Sequence, residues 1–227
     1  GIFALIHAFN GNYNEAFSCV CVGIFFDFWD GFFARLLKVQ SPLGVQLDSL
    51  ADMVTSGVVP GVVMYKMLAD IQENQPDYNL TPETFYMGIV PYLGFLITLG
   101  SCYRLAKFNI DTRQTDSFIG LPTPANALLI MSIPMILFDN QFEALSNLLS
   151  NPYVLVGVTV LSSYLLNAEI PLFSLKIKKF SLKDNALQIV FLIVSVLLGV
   201  LLHYIAIPLI IVFYVLLSII NNLFLKK

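Results

Sequence analysis

Runs of apolar residues long enough to cross a hydrocarbon core recur along this chain, separated by short polar stretches. That alternation leaves few folds open, because inside lipid every backbone N–H and C=O has to be paired within its own helix or barrel. A helical span takes about 20 residues. With 57% of the 227 residues hydrophobic, 12% charged and a mean hydropathy of +0.79, the composition excludes an ordinary soluble domain. The pattern predicts helices at 16–38, 42–69, 82–108, 123–138, 152–172, 185–201 and 204–223. Residues 1–9, "GIFALIHAF", read as the end of a further helix whose beginning precedes Gly1, and they lack the basic stretch and cleavage site of a secretory leader. The expected fold is an all-α, polytopic transmembrane bundle of about eight helices, the first truncated.

Cysteine usage adds no framework. Cys19 and Cys21 stand two apart on one predicted helix and so point in different directions, and Cys102 lies on another. All three read as packing residues. Orientation comes from the basic residues. The stretches "GNYNE", "DIQENQPDYNLTPE" and "DNQFEALSNLLSNP" hold no Lys or Arg, whereas Arg35, Lys38, Arg104, Lys107, Arg113, the "KIKKF" cluster, Lys183 and the terminal Lys226 and Lys227 fall on the alternate side. Eleven of the twelve basic residues thus belong on the cytoplasmic side of an inner or cytoplasmic membrane. Lys66, the exception, can snorkel to the outer headgroups. On the inner side "KVQSPLG" has to turn tightly, with Ser41 as a helix cap and Pro42 at the first helical position, where a missing N–H costs nothing.

Four aspartates flank that turn. Asp27 and Asp30 are three apart on the helix before it, and Asp48 and Asp52 four apart on the helix after it, so each pair shares a helix face. At 1.5 Å per residue, Asp27 and Asp30 lie roughly 16 and 12 Å from Lys38, and Asp48 and Asp52 roughly 9 and 15 Å from Pro42. The two pairs come level across the hairpin. Each aspartate at such depth costs about 2.5–3.5 kcal/mol, so the four together cost on the order of 10 kcal/mol before their mutual repulsion. Raised protonation offsets that in part. A divalent cation with oxygen ligands offsets it better, and the donor set suits magnesium or manganese, one ion or two, rather than zinc. Gly31, Ala34 and Gly44 clear side chains from the same faces, and Arg35 offers a fork of donors suited to phosphate. The residues therefore point to a diphosphate-containing substrate at the inner membrane surface.

The spacing Asp27-x2-Asp30-Gly31-x2-Ala34-Arg35-x8-Gly44-x3-Asp48-x3-Asp52 resembles the motif of the CDP-alcohol phosphotransferase family at every position. That resemblance implies a six-helix membrane core, usually homodimeric, that moves a phosphatidyl or related group from a CDP-linked donor to an alcohol and releases CMP. It also implies that Asp27, Asp30, Asp48 and Asp52 hold two divalent ions, that Asp52 serves as general base, and that Asp27, Gly31, Ala34, Arg35 and Gly44 bind the CDP group. On this basis residues 1–227 form a single transmembrane catalytic domain. Its core, 1–172, carries the site, and 173–227 add a basic inner loop and two further helices.

The second inner segment bears on the acceptor. Arg104-Leu105-Ala106-Lys107-Phe108-Asn109, followed by Gly120-Leu121-Pro122-Thr123-Pro124-Ala125, resembles the serine-accepting, membrane-embedded branch of the family. It departs from that branch at Lys107, where arginine is expected, and at Asn126, where a small residue is more usual. The resemblance implies CDP-diacylglycerol and L-serine as substrates. A zwitterionic acceptor needs a cation for its carboxylate, and Arg104 is placed for it, with Lys107 and Arg113 as alternatives or as contacts to lipid phosphates. Asn109 either accepts the ammonium group or ends the helix. Other acceptors of the family, glycerol 3-phosphate or inositol phosphate, would ask for more cations than this neighbourhood offers. A divalent-cation transporter is the reading from another class, and against it the outer half of the membrane shows no matching polar route. No glycine-rich phosphate loop, nucleophilic triad or nucleic-acid-binding patch occurs.

Overall fold

A computed structural model of the chain describes residues 1–39, 41–73, 88–111, 118–139, 142–173 and 185–225. Arg113, the lysines at 176, 178, 179, 183, 226 and 227, and the first part of the helix predicted at 82–108 lie outside the described residues. The rest is almost wholly helical.

A short helix, α1 (Ile2–Phe9), turns through Gly11 into α2 (Tyr13–Leu36). The end of α2 is closed by paired backbone bonds: Val39 N–H donates to Ala34 O (3.1 Å) and Lys38 N–H to Arg35 O (3.2 Å). This is the Schellman arrangement, and it requires a left-handed residue after the cap, here Lys38 at φ 57°. Two residues on, Ser41 Oγ accepts the Gly44 N–H (3.0 Å) and Pro42 opens α3 (Pro42–Asp52), as its sequence predicts.

The span predicted as one helix from 42 to 69 is instead interrupted. Pro60 has no N–H to give the Ser56 carbonyl, and Val59 N–H reaches back five residues to Val54 O. Met53–Val58 accordingly widen into a π-helical segment before α4 (Val59–Glu73) resumes the course. Near the far end of α4, Asp70 receives Tyr13 Oη (3.2 Å) and pairs with Lys66 Nζ (3.3 Å), so that lysine has a partner one helical turn away.

The chain returns through a 3₁₀ turn (Val90–Phe95) into α5 (Leu96–Ile110), rather than as α-helix throughout. α4 and this turn approach closely because small residues face each other: a Cβ on Gly94 would lie 2.6 Å from Tyr65 N, and Gly61 sits directly against the Thr98 hydroxyl. The next helix, α6 (Thr123–Asp139), is apolar around its whole circumference, and a helix of that kind belongs in the interior. Its residues from Ile130 to Ile136 are all buried, with Thr123, Asn126 and Ala127 before them, and Ile130 and Met131 join a core shared with Ala4, Val20, Met64 and Leu155. The stretch expected as an outer loop forms α7 (Glu143–Leu149), bent by 75° from α8 (Pro152–Asn167).

α8 stops at Asn167, not at 172 as predicted. Pro171 cannot donate within a helix and disfavours helical backbone at the residue before it. The chain runs out extended instead, and Pro171–Leu172 (β2) pairs antiparallel with Phe118–Ile119 (β1), Phe118 opposite Leu172. Gly120, at φ +78°, turns from β1 against the end of α8, where a Cβ would lie 2.5 Å from Leu166 O.

Two final helices, α9 (Ala186–Leu202) and α10 (Ala206–Leu225), fold back on each other at His203, φ 47°. Phe191 stacks on Phe213 (6.1 Å) and packs on Tyr214 (5.4 Å), residues about equally far from His203 along the chain, which only an antiparallel hairpin allows. This hairpin builds a second core with Leu121, Leu172, Ile211 and Val215. It also holds β2 directly, since Tyr214 Oη donates to Phe173 O (2.8 Å) and Asn222 Nδ2 to Pro171 O (2.5 Å).

Among the described residues three runs are long and apolar enough to cross a membrane, Tyr13–Leu36, Pro42–Ile71 and the folded Leu187–Leu223, and the bent pair α7–α8 adds a fourth candidate. The protein is an integral, all-α membrane protein. Gly94→Ala should lower its stability by about 1–3 kcal/mol, the range for forcing atoms into a packed interface, because the clash is with backbone that cannot swing aside. Thermal unfolding in detergent micelles measures this, and an unchanged midpoint would show that the α4 contact is looser than its geometry.

Candidate active site

The α2–α3 turn decides where the acids meet. With α2 closed by its Schellman bonds and α3 started by Ser41, the faces carrying Asp27, Asp30 and Asp48 are turned toward one another. One carboxylate oxygen from each lies within 4.8 Å of the other two. Asp27 and Asp48 come within hydrogen-bonding reach of each other. Asp27 is half-buried, while Asp30 and Asp48 are exposed. Among the described residues no lysine or arginine forms an ion pair with any of the three. Three hard oxygen donors converging without a cation, in helices that cross a membrane, fit a divalent ion such as magnesium or manganese.

Asp52 lies one turn further along α3, beyond this trio but close enough to Asp48 and Asp30 to feel their charge. Arg104 from α5 also interacts with it. Asp52 therefore feels both acids of the carboxylate trio and a buried guanidinium.

From the trio toward the Lys38 end runs a groove of about 500 Å³ between α2 and α3, lined among others by Asp30, Gly31, Ala34, Arg35, Gly44 and Asp48. The small residues here do not bring two helices together: among the described residues a Cβ on Gly31 would meet only Arg35 Nη2 at 4.0 Å, and one on Gly44 would crowd only Ser41 Oγ, its own helix cap, at 3.2 Å. Where Gly61 and Gly94 bring two backbones together, Gly31 leaves room and Gly44 keeps a side chain off the cap. Of the residues the motif singles out, the structure sets Asp30, Gly31, Ala34, Arg35, Gly44 and Asp48 on one groove and Asp27 at its head.

The second predicted group is dispersed. Arg104 is buried, with Nη1 donating to Thr123 Oγ1 (3.3 Å) and its guanidinium 5.9 Å from the Phe108 ring. Lys107 points to the surface and pairs with Glu169 (3.4 Å). Asn109 exchanges a hydrogen bond with Ser49 (3.0 Å from Nδ2 to Oγ), tying the end of α5 to the helix that carries Asp48 and Asp52. Ser49 and Thr123 were not singled out by sequence. Their one signal was a hydroxyl next to a motif residue or at a helix start, which is common at random.

Comparison with known proteins identifies the family. Residues 1–162 match the family described as CDP-alcohol phosphatidyltransferase. The chain belongs to that family. Among similar proteins are the CDP-diacylglycerol–serine O-phosphatidyltransferases of Helicobacter pylori strain J99, 30% identical over 85% of this chain and 74% of its own, and of Bacillus subtilis, 34% identical over 55% and 62%. The archaetidylserine synthase of Methanothermobacter thermautotrophicus is 27% identical over 71% of this chain and 60% of its own. As a CDP-alcohol phosphatidyltransferase family member, the chain is a transferase.

If the trio is a metal site, Asp48→Asn should weaken Mn²⁺ binding at least as much as loss of an outer-shell partner does, about 10–100-fold. Electron paramagnetic resonance of Mn²⁺ titrated into purified protein measures this directly, without turnover. Equal affinity in the variant would remove Asp48 from the site.

Proposed function

We propose that the protein transfers the phosphatidyl group of CDP-diacylglycerol to the hydroxyl of L-serine, giving phosphatidylserine and CMP. The observation that carries this reading is that Asp52 interacts both with acids of the three-carboxylate cluster and with a buried arginine. The relatives' names add support, since serine occurs in each of those named above.

In this reading the CDP group lies in the α2–α3 groove, its diphosphate toward Asp27 and Asp30, with Gly31, Ala34 and Gly44 giving it room and Arg35 reaching a phosphate. Two divalent ions, magnesium or manganese, held by Asp27, Asp30, Asp48 and Asp52, would neutralise the diphosphate and the charge growing on departing CMP. Asp52 accepts the proton of the serine hydroxyl as that oxygen forms its bond to the lipid-side phosphorus and the bond from that phosphorus to the CMP oxygen breaks. Arg104 receives the serine carboxylate. Lys107, at the surface and already paired with Glu169, is suited to lipid phosphate, and Arg113 is assigned to the same role. Asn109 fixes α3 through Ser49.

Both polar substrates arrive from the cytoplasm, on the side of Lys38, while the acyl chains stay in the bilayer. The active unit is a homodimer, and residues 1–227 act as one catalytic domain.

The test is CMP release from CDP-diacylglycerol by purified protein with manganese or magnesium, given serine, glycerol 3-phosphate or inositol phosphate singly. Serine alone should drive release, and Asp52→Asn should slow it about 10²–10⁴-fold, the usual contribution of a general base. Release driven by a phosphorylated acceptor instead would sink the assignment of Arg104.

A further inference from the structure

In the segment that follows Asp52, and on the elements packed against it, several buried polar groups have no partner among the described residues. Ser56 and Ser101 are wholly buried and their hydroxyls make no hydrogen bond. The Nε of Arg104 is likewise orphaned, although Nη1 is bound to Thr123. Asn126 is the extreme case: it is 0% exposed, and neither its Oδ1 nor its Nδ2 has a partner.

These groups share one neighbourhood. Ser56 follows Asp52 by four residues, in the π segment that Pro60 imposes. That segment lies against α5, where Thr98 Oγ1 donates to Gly57 O (3.0 Å) and a Cβ on Gly57 would touch Ser101 Cβ at 3.1 Å. Ser101 and Arg104 are three apart on α5, and Thr123, which holds Arg104, and Asn126 are three apart on α6.

Leaving a buried amide or hydroxyl unbonded costs about 1–3 kcal/mol per group, so a cluster of them in an apolar bundle persists only if something polar fills it. Ordered water is one filler, and a small polar ligand is another.

We infer that Ser56, Ser101 and Asn126, with Arg104, line a chamber for the amino-acid head of the acceptor, and that Asn126 selects for its ammonium group. The inference rests on the serine reading above and refines it. The donors and acceptors divide as a β-hydroxy amino acid requires. Arg104 Nε has a free N–H for the carboxylate, Asn126 Oδ1 and the serine hydroxyls accept from the ammonium, and Asp52 faces the reacting hydroxyl. An apolar residue at 126 would remove one of these acceptors and leave the ammonium under-paired in a buried site.

The experiment compares unaltered protein with Asn126→Leu and Asn126→Ser, in CMP release with CDP-diacylglycerol and Mn²⁺. KM is measured for serine and for the lipid. Ethanolamine, which lacks the carboxylate, and 3-hydroxypropionate, which lacks the ammonium, serve as competing analogues. Hydrogen bonds to a charged group are lost in the leucine variant, so KM for serine should rise about 10–100-fold with KM for the lipid unchanged. Inhibition by 3-hydroxypropionate should be unaltered, and Asn126→Ser should recover part of the loss.

A merely structural role would shift the thermal midpoint and all constants together, which overturns the proposal. Unchanged serine KM and unchanged preference among the analogues, with serine-driven release intact in unaltered protein, would mean that water fills the chamber, and the proposal falls alone. Absence of serine-driven release from unaltered protein would overturn this inference together with the function beneath it. If the leucine variant does not fold, the serine variant still decides, because an unaltered KM there contradicts a selective contact from the amide.

Discussion

The repulsion among Asp27, Asp30 and Asp48 is the constraint on which the rest of the site depends. Three acids whose oxygens approach within 4.8 Å would drive α2 and α3 apart in a medium where each charge is already costly. What opposes that is local and covalently short: the Schellman bonds at Lys38 and Val39, and the Ser41 cap three residues further on. These fix where α2 stops and where α3 starts, and so the heights at which the two acid pairs face each other. Asn109 adds a longer tether by holding Ser49, the neighbour of Asp48, to α5. The turn is thus held by hydrogen bonds that do not involve the carboxylates, so its geometry does not depend on how the acids pair.

Glycine has two opposite uses in the same bundle. At Gly61 and Gly94 it lets α4 and the turn before α5 touch through their backbones, an attraction that lipid-exposed leucines could not supply. At Gly31 and Gly44 the cleared space faces only groups of the same turn, Arg35 Nη2 at 4.0 Å and the Ser41 cap at 3.2 Å, and no second backbone among the described residues. Spacing alone cannot separate these uses, since each is a single small residue on an apolar helix. The difference lies in what faces the glycine, and that is a tertiary fact. In the sequence it was the company of acids and Arg35 that marked Gly31 and Gly44 as belonging to a site.

The same reasoning shows which parts of the fold were legible. The acid pairs, the Ser41–Pro42 cap and a helix close to 123–138 follow from local chemistry and periodicity, and the structure has them. The π segment did not follow, because Pro60 signals a kink without saying which carbonyls will pair across it. Nor did the end of α8: an apolar run from 152 to 172 looks continuous, and only the pairing of Pro171–Leu172 with Phe118–Ile119, more than 50 residues away in sequence, shows that the extended backbone has partners of its own. α7 was hidden for the converse reason, being too short to register as a span. The orphaned polar atoms of Ser56, Ser101 and Asn126 were the least legible, since burial without a partner is a property of the assembled bundle.

Support for the two halves of the site comes from different parts of the chain. The groove and the carboxylate trio belong to α2 and α3, which brace each other through a turn of a few residues. Arg104 is held by Thr123, which begins α6 directly after β1 and the Gly120 turn. β1 pairs with β2, and β2 is held by Tyr214 and Asn222 from the C-terminal hairpin. That hairpin lies beyond residue 162, where the family match ends. The side of the site on which we place the acceptor therefore leans on elements outside the shared core, while the acid cluster leans on its own turn and on the Asn109–Ser49 tether to α5. Such a division lets the contacts around Arg104 and Asn126 change without disturbing the spacing of the four aspartates. It gives a physical reason why the aspartate motif alone does not choose the alcohol, and why that choice has to be sought in how α5, α6 and the last two helices pack.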